Sequence, residues 1–248
     1  MFLEGGHQLC LPKGNYGPAY QTKAISSSTR SNMIISHKYK FIFIKTRKVA
    51  GSSIEKFLYP YLDHKTDVLT GSPSDGVPQL NLPKILKKPN GSGAGHASYK
   101  HAKQILQNNI KDYFIFSAER NPWDKCISSY KFHKSIGNVS CGINEFISLE
   151  KIRNKQTNVV FSPLPLDWPL YTYQNKVITN KIIKFENINN DLQEIIAQLS
   201  IPANINDFTS IRLKQTAAKQ YTLNKQSINK IHKLFSREID YFNYTYEC

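Results

Sequence analysis

Apolar residues along this chain fall into short unbroken runs and into helical stripes, and the two kinds alternate. Phe41-Ile42-Phe43-Ile44 is a run of aromatic and β-branched side chains, as expected of a strand buried on both faces. A basic turn follows, Lys45-Thr46-Arg47-Lys48, and then three small residues, Gly51-Ser52-Ser53. Ile54, Phe57, Leu58 and Tyr61 recur at helical spacing behind them. Tyr113 to Ala118 reads as a second buried strand, and Asn121-Pro122 opens a helix that turns Trp123, Cys126, Ile127 and Tyr130 inward and leaves Ser128 and Ser129 off the stripe. A third strand spans Asn180 to Glu186. The stripe Ile188, Leu192, Ile195, Ile196, Leu199 follows it and stops before Pro202.

Weaker signals complete the pattern. His96 to Ala102 opens a helix that runs to about Asn108, Ile143 to Ile152 reads as another, and Ile228, Ile231, Phe235, Ile239 and Phe242 share one helical period, with Tyr244 and Tyr246 behind them. Residues 1–36 show no sustained period, and residues 63–95 and 157–170 are broken by glycine and proline. Strands alternating with helices predict an α/β fold with a central, mainly parallel sheet flanked by helices. The expected division is a lead-in over residues 1–37 and one α/β domain over 38–248. The long irregular stretch at 63–95 is a candidate lid or acceptor-binding region.

Charge sharpens this picture. The 248 residues carry 33 Lys and Arg against 18 Asp and Glu, a net +15, which suits a polyanionic ligand. Hydrophobic residues make up 40% of the chain, enough for a packed core, which excludes a basic disordered tail. The four cysteines form no C-x-x-C pair, and Cys126 lies on an apolar stripe, which favours a reduced, cytosolic setting. The N-terminus lacks a signal-peptide pattern, and no run is long enough for a membrane span.

The chemistry concentrates in two stretches. A strand, a small-residue turn and a helix N-terminus cradle an anion, because first-turn N–H groups and the positive end of the helix dipole meet there. Lys48-Val49-Ala50-Gly51-Ser52-Ser53 has this form, yet it is no G-x-x-x-x-G-K-[ST] nucleotide loop, since the lysine precedes the glycine. It resembles the 5′-phosphosulfate loop, K-T-x-G-T-S, of sulfotransferases that use 3′-phosphoadenosine-5′-phosphosulfate (PAPS), with Val49 where that family usually has threonine. The second stretch runs from Phe116 to Tyr130. Arg120 ends a strand, where its planar fork suits a phosphate, and Ser128 follows eight residues later. This resembles the family's 3′-phosphate motif, R-[DN]-P-x-[DE]-[RK]-x-x-S-x-Y. Ile182 to Ile188 and Phe235 to Tyr244 are similar to two further family segments, so the resemblance covers about residues 38–246.

What the resemblance implies is a P-loop-like three-layer sandwich and transfer of a sulfuryl group from PAPS to a hydroxyl of a carbohydrate or other small acceptor, without a metal. Lys48 would stabilise the leaving-group charge, residues 48–53 would bind the 5′ side, and Arg120 and Ser128 would bind the 3′-phosphate. Lys45 and Arg47 are either helpers or solvated cations. His96, in a stretch similar to the family's G-H-x-[ST], is the candidate base; His101 is the alternative, and His133 and His232 are weaker. The positive charge suits an acidic glycan as acceptor, and Tyr99, Trp168, Tyr171 and Tyr173 either stack on it or pack in the fold. The rival functions are a P-loop kinase or NTPase, which lacks its G-K-[ST] loop, and a basic nucleic-acid-binding protein, which lacks a legible binding motif.

Overall fold

A computed structural model of the chain describes residues 33–71, 76–86, 97–155, 158–211 and 221–246. The strands are β1 Met33–Ser36, β2 Phe41–Ile44, β3 Val68–Leu69, β4 Phe114–Glu119, β5 Ile152–Arg153, β6 Val160–Phe161, β7 Thr172–Tyr173, β8 Lys176–Val177 and β9 Lys181–Lys184. The helices are α1 Gly51–Leu58, α2 Tyr99–Leu106, α3 Pro122–Ser135, α4 Ile143–Ser148, α5 Ile188–Gln198, α6 Ile205–Ile211, α7 Lys225–Leu234 and α8 Ser236–Phe242. The described residues fall into two compact units. One comprises residues up to Asn121 together with 166–211, and the other 122–165 together with 221–246.

The first unit is built on a five-stranded sheet in the order β3-β1-β2-β4-β9. β2, β4 and β9 run parallel, with Ile44 beside Ser117 and Glu119 beside Lys184. Their side chains alternate between faces. Phe41, Phe43 and Phe116 join Ile54 and Phe57 of α1, Leu192 and Ile195 of α5, and Phe208 of α6 on one face. Ile42, Ile44 and Ile115 join Ala102 and Leu106 of α2 on the other. Helices thus cover both faces of a sheet whose central strand β2 is apolar throughout, which is why Phe41–Ile44 is legible as an unbroken run.

β1 and β3 depart from the expected organisation. Met33–Ser36 is a buried strand, antiparallel to β2, so the fold begins inside the stretch expected to be a lead-in ending at 37. β3, at the edge, pairs antiparallel with β1 inside the stretch expected to be loop. Asp67, fully buried beside β3, accepts from Ser36 Oγ at 2.8 Å and from the His37, Lys38 and Asp63 amides, which fixes the β1–β2 turn. The remainder of that stretch, at 72–75 and 87–96, lies outside the described residues, as does the lead-in before Met33.

In the second unit, α3 begins at Pro122, as the Asn121-Pro122 pair predicts. Trp123, Cys126 and Tyr130 pack against Phe146 of α4, Ile231 of α7 and Ile239 of α8. The face of α3 differs from the stripe expected for it. Ser129 is buried with its hydroxyl donating to the Pro163 carbonyl at 2.8 Å, Lys125 is also buried, and Ile127 is only half-buried. The helix expected over Ile143–Ile152 stops at Ser148, where Leu149 turns extended (ψ 142°), and Ile152 pairs with Phe161 instead. The C-terminal period is two helices, broken at Phe235 (φ −112°, ψ 22°), although the stripe Ile231, Phe235, Ile239 remains buried across the break. Cys126 and Cys141 are buried thiols.

α6 has too few apolar residues to announce itself, yet its Phe208 is fully buried edge-on to Phe57, ring centroids 5.6 Å apart. Phe208→Ala is therefore expected to lower unfolding stability by about 3–5 kcal/mol. A urea midpoint equal to wild type would show that α6 adds nothing to the first unit's core.

Candidate active site

β2 and β4 are adjacent and parallel, so the turns that leave their carboxyl ends emerge at one edge of the sheet. The turn after β2 carries residues 45–50 and the turn after β4 carries Arg120 and Asn121. Thr46 joins them. It is buried, and its hydroxyl donates to the Ala118 carbonyl across the parallel ladder.

The first turn is tightly wound. Lys48 (φ 64°) and Ala50 (φ 59°) both take the left-handed conformation, which side chains other than glycine, asparagine and aspartate rarely adopt. Val49 between them is fully buried in the core of the first unit and anchors the loop. Its position in the loop is thus filled by an apolar plug where the family motif usually carries a hydroxyl. Ala50 is the N-cap of α1 and has no side-chain oxygen for the first-turn amides, and that turn holds no acidic residue. An anion there meets the helix dipole with no carboxylate competing from the first turn.

The basic residues of the turn have different settings. Lys45 Nζ pairs with the buried Glu55 carboxylate at 2.8 Å and donates to Ser52 Oγ at 3.0 Å. Its stem crosses Gly51, where a Cβ would come within 2.5 Å of Lys45 Cγ and 2.9 Å of Cδ and Cε. Glycine at 51 is what lets that ammonium reach α1. Arg47 gives both its backbone N–H and its Nε to the buried Asp167 carboxylate, each at 2.7 Å. Both residues are matched to buried carboxylates, so neither is a simple solvated cation. Lys48 is half-buried at the left-handed bend, Ser52 is half-buried, and Ser53 is buried.

At the second turn, Arg120 lies half-buried with its guanidinium carbon 4.1 Å from the centre of the Phe185 ring. Stacking engages the face of the group and not its in-plane donors. Glu119, buried at the end of β4, accepts from the Arg120 amide at 3.0 Å and from Tyr171 Oη at 3.1 Å. The Asn121 amide donates to Glu186 Oε1 at 2.8 Å. A polar depression lined by Phe185, Glu186 and Asn187 lies at the end of β9, beside this turn. Ser128 is half-buried on α3 of the other unit.

His96 lies outside the described residues. The helix expected to open there begins at Tyr99, with Ser98 as N-cap. His101 closes this N-terminus: its Nδ1 accepts the Ser98 amide at 3.1 Å and lies 3.1 Å from Ser98 Oγ. His133 is packed among Phe132, Phe146 and Phe161, with Asn138 Nδ2 3.3 Å from its Nδ1. His232 lies beside Trp123, ring centroids 6.4 Å apart. Trp168 and Tyr171 are buried, so they pack within the fold instead of offering a stacking surface to an acceptor. Tyr99 and Tyr173 are half-buried and meet edge to face at 5.7 Å.

The sequence does not mark Glu55, Asp167 and Glu119 as candidate site residues, and it marks Tyr171 only as a stacking or packing residue. Asp167 meets Arg47 across 120 positions of sequence, and no local periodicity marks such a contact. Among the described residues, no group of three or more His, Cys, Asp or Glu is placed to hold a metal ion, and no helix is long and apolar enough to cross a membrane.

Two turns that present cations and a helix N-terminus at adjacent strand ends agree with comparison against known proteins, in which the sulfotransferase family matches residues 31–245. The chain belongs to the sulfotransferase family. A protein of Archaeoglobus fulgidus, described only as uncharacterized, is 26% identical over 113 residues, which is 44% of this chain and 82% of its own length. No solved structure matches the chain. Membership of this family makes the protein a transferase of sulfuryl groups. The family match begins at residue 31, which places β1 inside it.

Burial lowers the pKa of His101 from its ordinary 6.5. The unfolded chain therefore takes up a proton at that residue before the folded one does, and stability is lost as pH falls through 6.5 toward the lowered value. His101→Gln keeps an acceptor at the third helical position without titrating. The stability difference between wild type and His101→Gln, measured by urea unfolding, is expected to move against wild type from pH 8 to pH 5. A difference constant across that range would contradict the assignment.

Proposed function

We propose that this sulfotransferase uses PAPS as donor and moves its sulfuryl group to a hydroxyl of a carbohydrate or other small acceptor, on a P-loop-like sheet. The observation that carries this reading is the pair of anion-suited turns on adjacent parallel strands, one ending in a helix N-terminus and the other in a stacked arginine. The donor set fits a nucleotide phosphorylated at both ends: an ammonium and an uncapped helix start for one end, a guanidinium fork for the other. When bound, such a donor supplies an activated sulfuryl group with a nucleotide phosphate as its leaving group.

Each residue then has a defined task. Lys48, with Ser52, Ser53 and the first turn of α1, holds the 5′ side and stabilises the charge that grows there as the bond to sulfur breaks. Gly51 leaves room for Lys45, whose ion pair with Glu55 keeps its charge matched inside the protein. Arg120 holds the 3′-phosphate. His96, on its resemblance to the family motif, takes the acceptor's hydroxyl proton at an imidazole nitrogen. The net charge of +15 favours an acidic acceptor such as an anionic glycan.

Arg120→Ala is expected to weaken adenosine 3′,5′-bisphosphate by about 1.5–3 kcal/mol and to leave 5′-AMP nearly unchanged. Equal losses for both nucleotides by calorimetry would remove Arg120 from that role.

Lys48→Ala is expected to cut turnover about 10²–10³-fold, with a smaller change in donor affinity. Turnover at the wild-type level, followed as bisphosphate release, would shift the role to another cation of the turn.

A further inference from the structure

The segment Asp167-Trp168-Pro169-Leu170-Tyr171 holds both turns of the site, at its two ends. At one end the Asp167 carboxylate takes the Arg47 amide and Nε, both at 2.7 Å. At the other, Tyr171 Oη donates to Glu119 Oε2 at 3.1 Å, while Glu119 Oε1 accepts the Arg120 amide at 3.0 Å. Asp167 and Tyr171 are both fully buried, at 0% exposure, so these bonds are shielded from water.

The segment is itself stiff. It makes a single helical turn closed by Leu170 N–H on the Asp167 carbonyl at 2.8 Å. Thr172 Oγ1 donates to the Trp168 carbonyl at 2.7 Å, and Trp168 Nε1 donates to Asn175 Oδ1 at 3.1 Å. These bonds fasten the turn to the β7–β8 hairpin, whose two bend residues, Gln174 and Asn175, are both left-handed. The Trp168 and Tyr171 rings meet edge to face at 5.6 Å.

A buried carboxylate spent on a backbone amide and a guanidinium orients a loop more than it stabilises a fold. This link and the Tyr171 hydroxyl bond to Glu119 tie one rigid five-residue turn to both loops. We propose that residues 167–171 are a positioning strap, which sets the distance between the Lys48 turn and Arg120 and thereby the preference for a ligand with anionic groups at both ends. The inference rests on the donor reading above. Asp167 and Tyr171 are positioning residues and touch no substrate; Tyr171 acts on the 3′ side through Glu119, and Asp167 on the 5′ side through Arg47.

The test measures 5′-AMP and adenosine 3′,5′-bisphosphate affinities by calorimetry for the full chain and for Tyr171→Phe and Asp167→Asn. Wild type is expected to prefer the bisphosphate. Tyr171→Phe is expected to reduce that preference at least fivefold with 5′-AMP binding within twofold of wild type. Asp167→Asn weakens the attachment at the other end and is expected to weaken both nucleotides and to reduce the preference as well. Should Tyr171→Phe fail to fold, Glu119→Leu removes the acceptor of the same link and carries the same expectation. A preference retained in full by the Tyr171 or Glu119 variant overturns the strap alone, as does a loss that tracks only the fall in unfolding temperature. Absence of any preference in wild type overturns the donor reading, and the strap's role with it.

Discussion

The parallel ladder that sets Phe41 beside Phe114 and Ile44 beside Ser117 brings the two basic turns to one edge of the sheet. Parallel strands deliver their carboxyl ends to a common edge, so the turns after β2 and β4 become neighbours. The ladder survives because both faces of β2 are covered, Phe41 and Phe43 by α1, α5 and α6, and Ile42 and Ile44 by α2. Hydrogen bonding carries the register on past the strand ends, through Ser117 Oγ to the Ile44 carbonyl at 2.7 Å and through Thr46 to Ala118.

Charge in the first turn is organised more than accumulated. Lys45 and Arg47 each meet a carboxylate buried at 0% exposure, an arrangement that adds little net stability but is costly to break from one side. Such pairs fix geometry. Lys48 and Ala50 take left-handed conformations around a buried Val49, so the bend is held by packing and not by glycine. Chain-wide positive charge, by contrast, attracts anions without placing them.

Legibility of the chain followed the range of the interactions. The Phe41–Ile44 strand, the helix that opens at Pro122 and the stripe of α5 depend on neighbours in sequence, and the structure has them where apolar spacing puts them. β3 and α6 are too short to show a period, and β1 is an apolar run that the polar stretch before it hid. The C-terminal stripe kept its burial while its backbone broke at Phe235, since side-chain periodicity reports a face and not the continuity of a helix. In the candidate site, Lys48 and Arg120 are proposed from motif resemblance. Glu55, Glu119 and Asp167 have no such signal, because a buried carboxylate is recognisable only with its partner, and Asp167 finds Arg47 across 120 residues. Within the stripe of α3, Ser129 is buried because the Pro163 carbonyl satisfies its hydroxyl, and no pattern of polarity foretells that.

The two turns are proposed to bind a nucleotide phosphorylated at both its 3′ and 5′ positions. The most direct test is the unfolding temperature of the intact protein with adenosine 3′,5′-bisphosphate, ATP or 5′-AMP at equal concentration, since a ligand that binds only the folded state raises it in proportion to affinity. The bisphosphate is expected to give the largest rise, with ATP and 5′-AMP well below it. A rise with ATP that equals or exceeds that with the bisphosphate would contradict the claim.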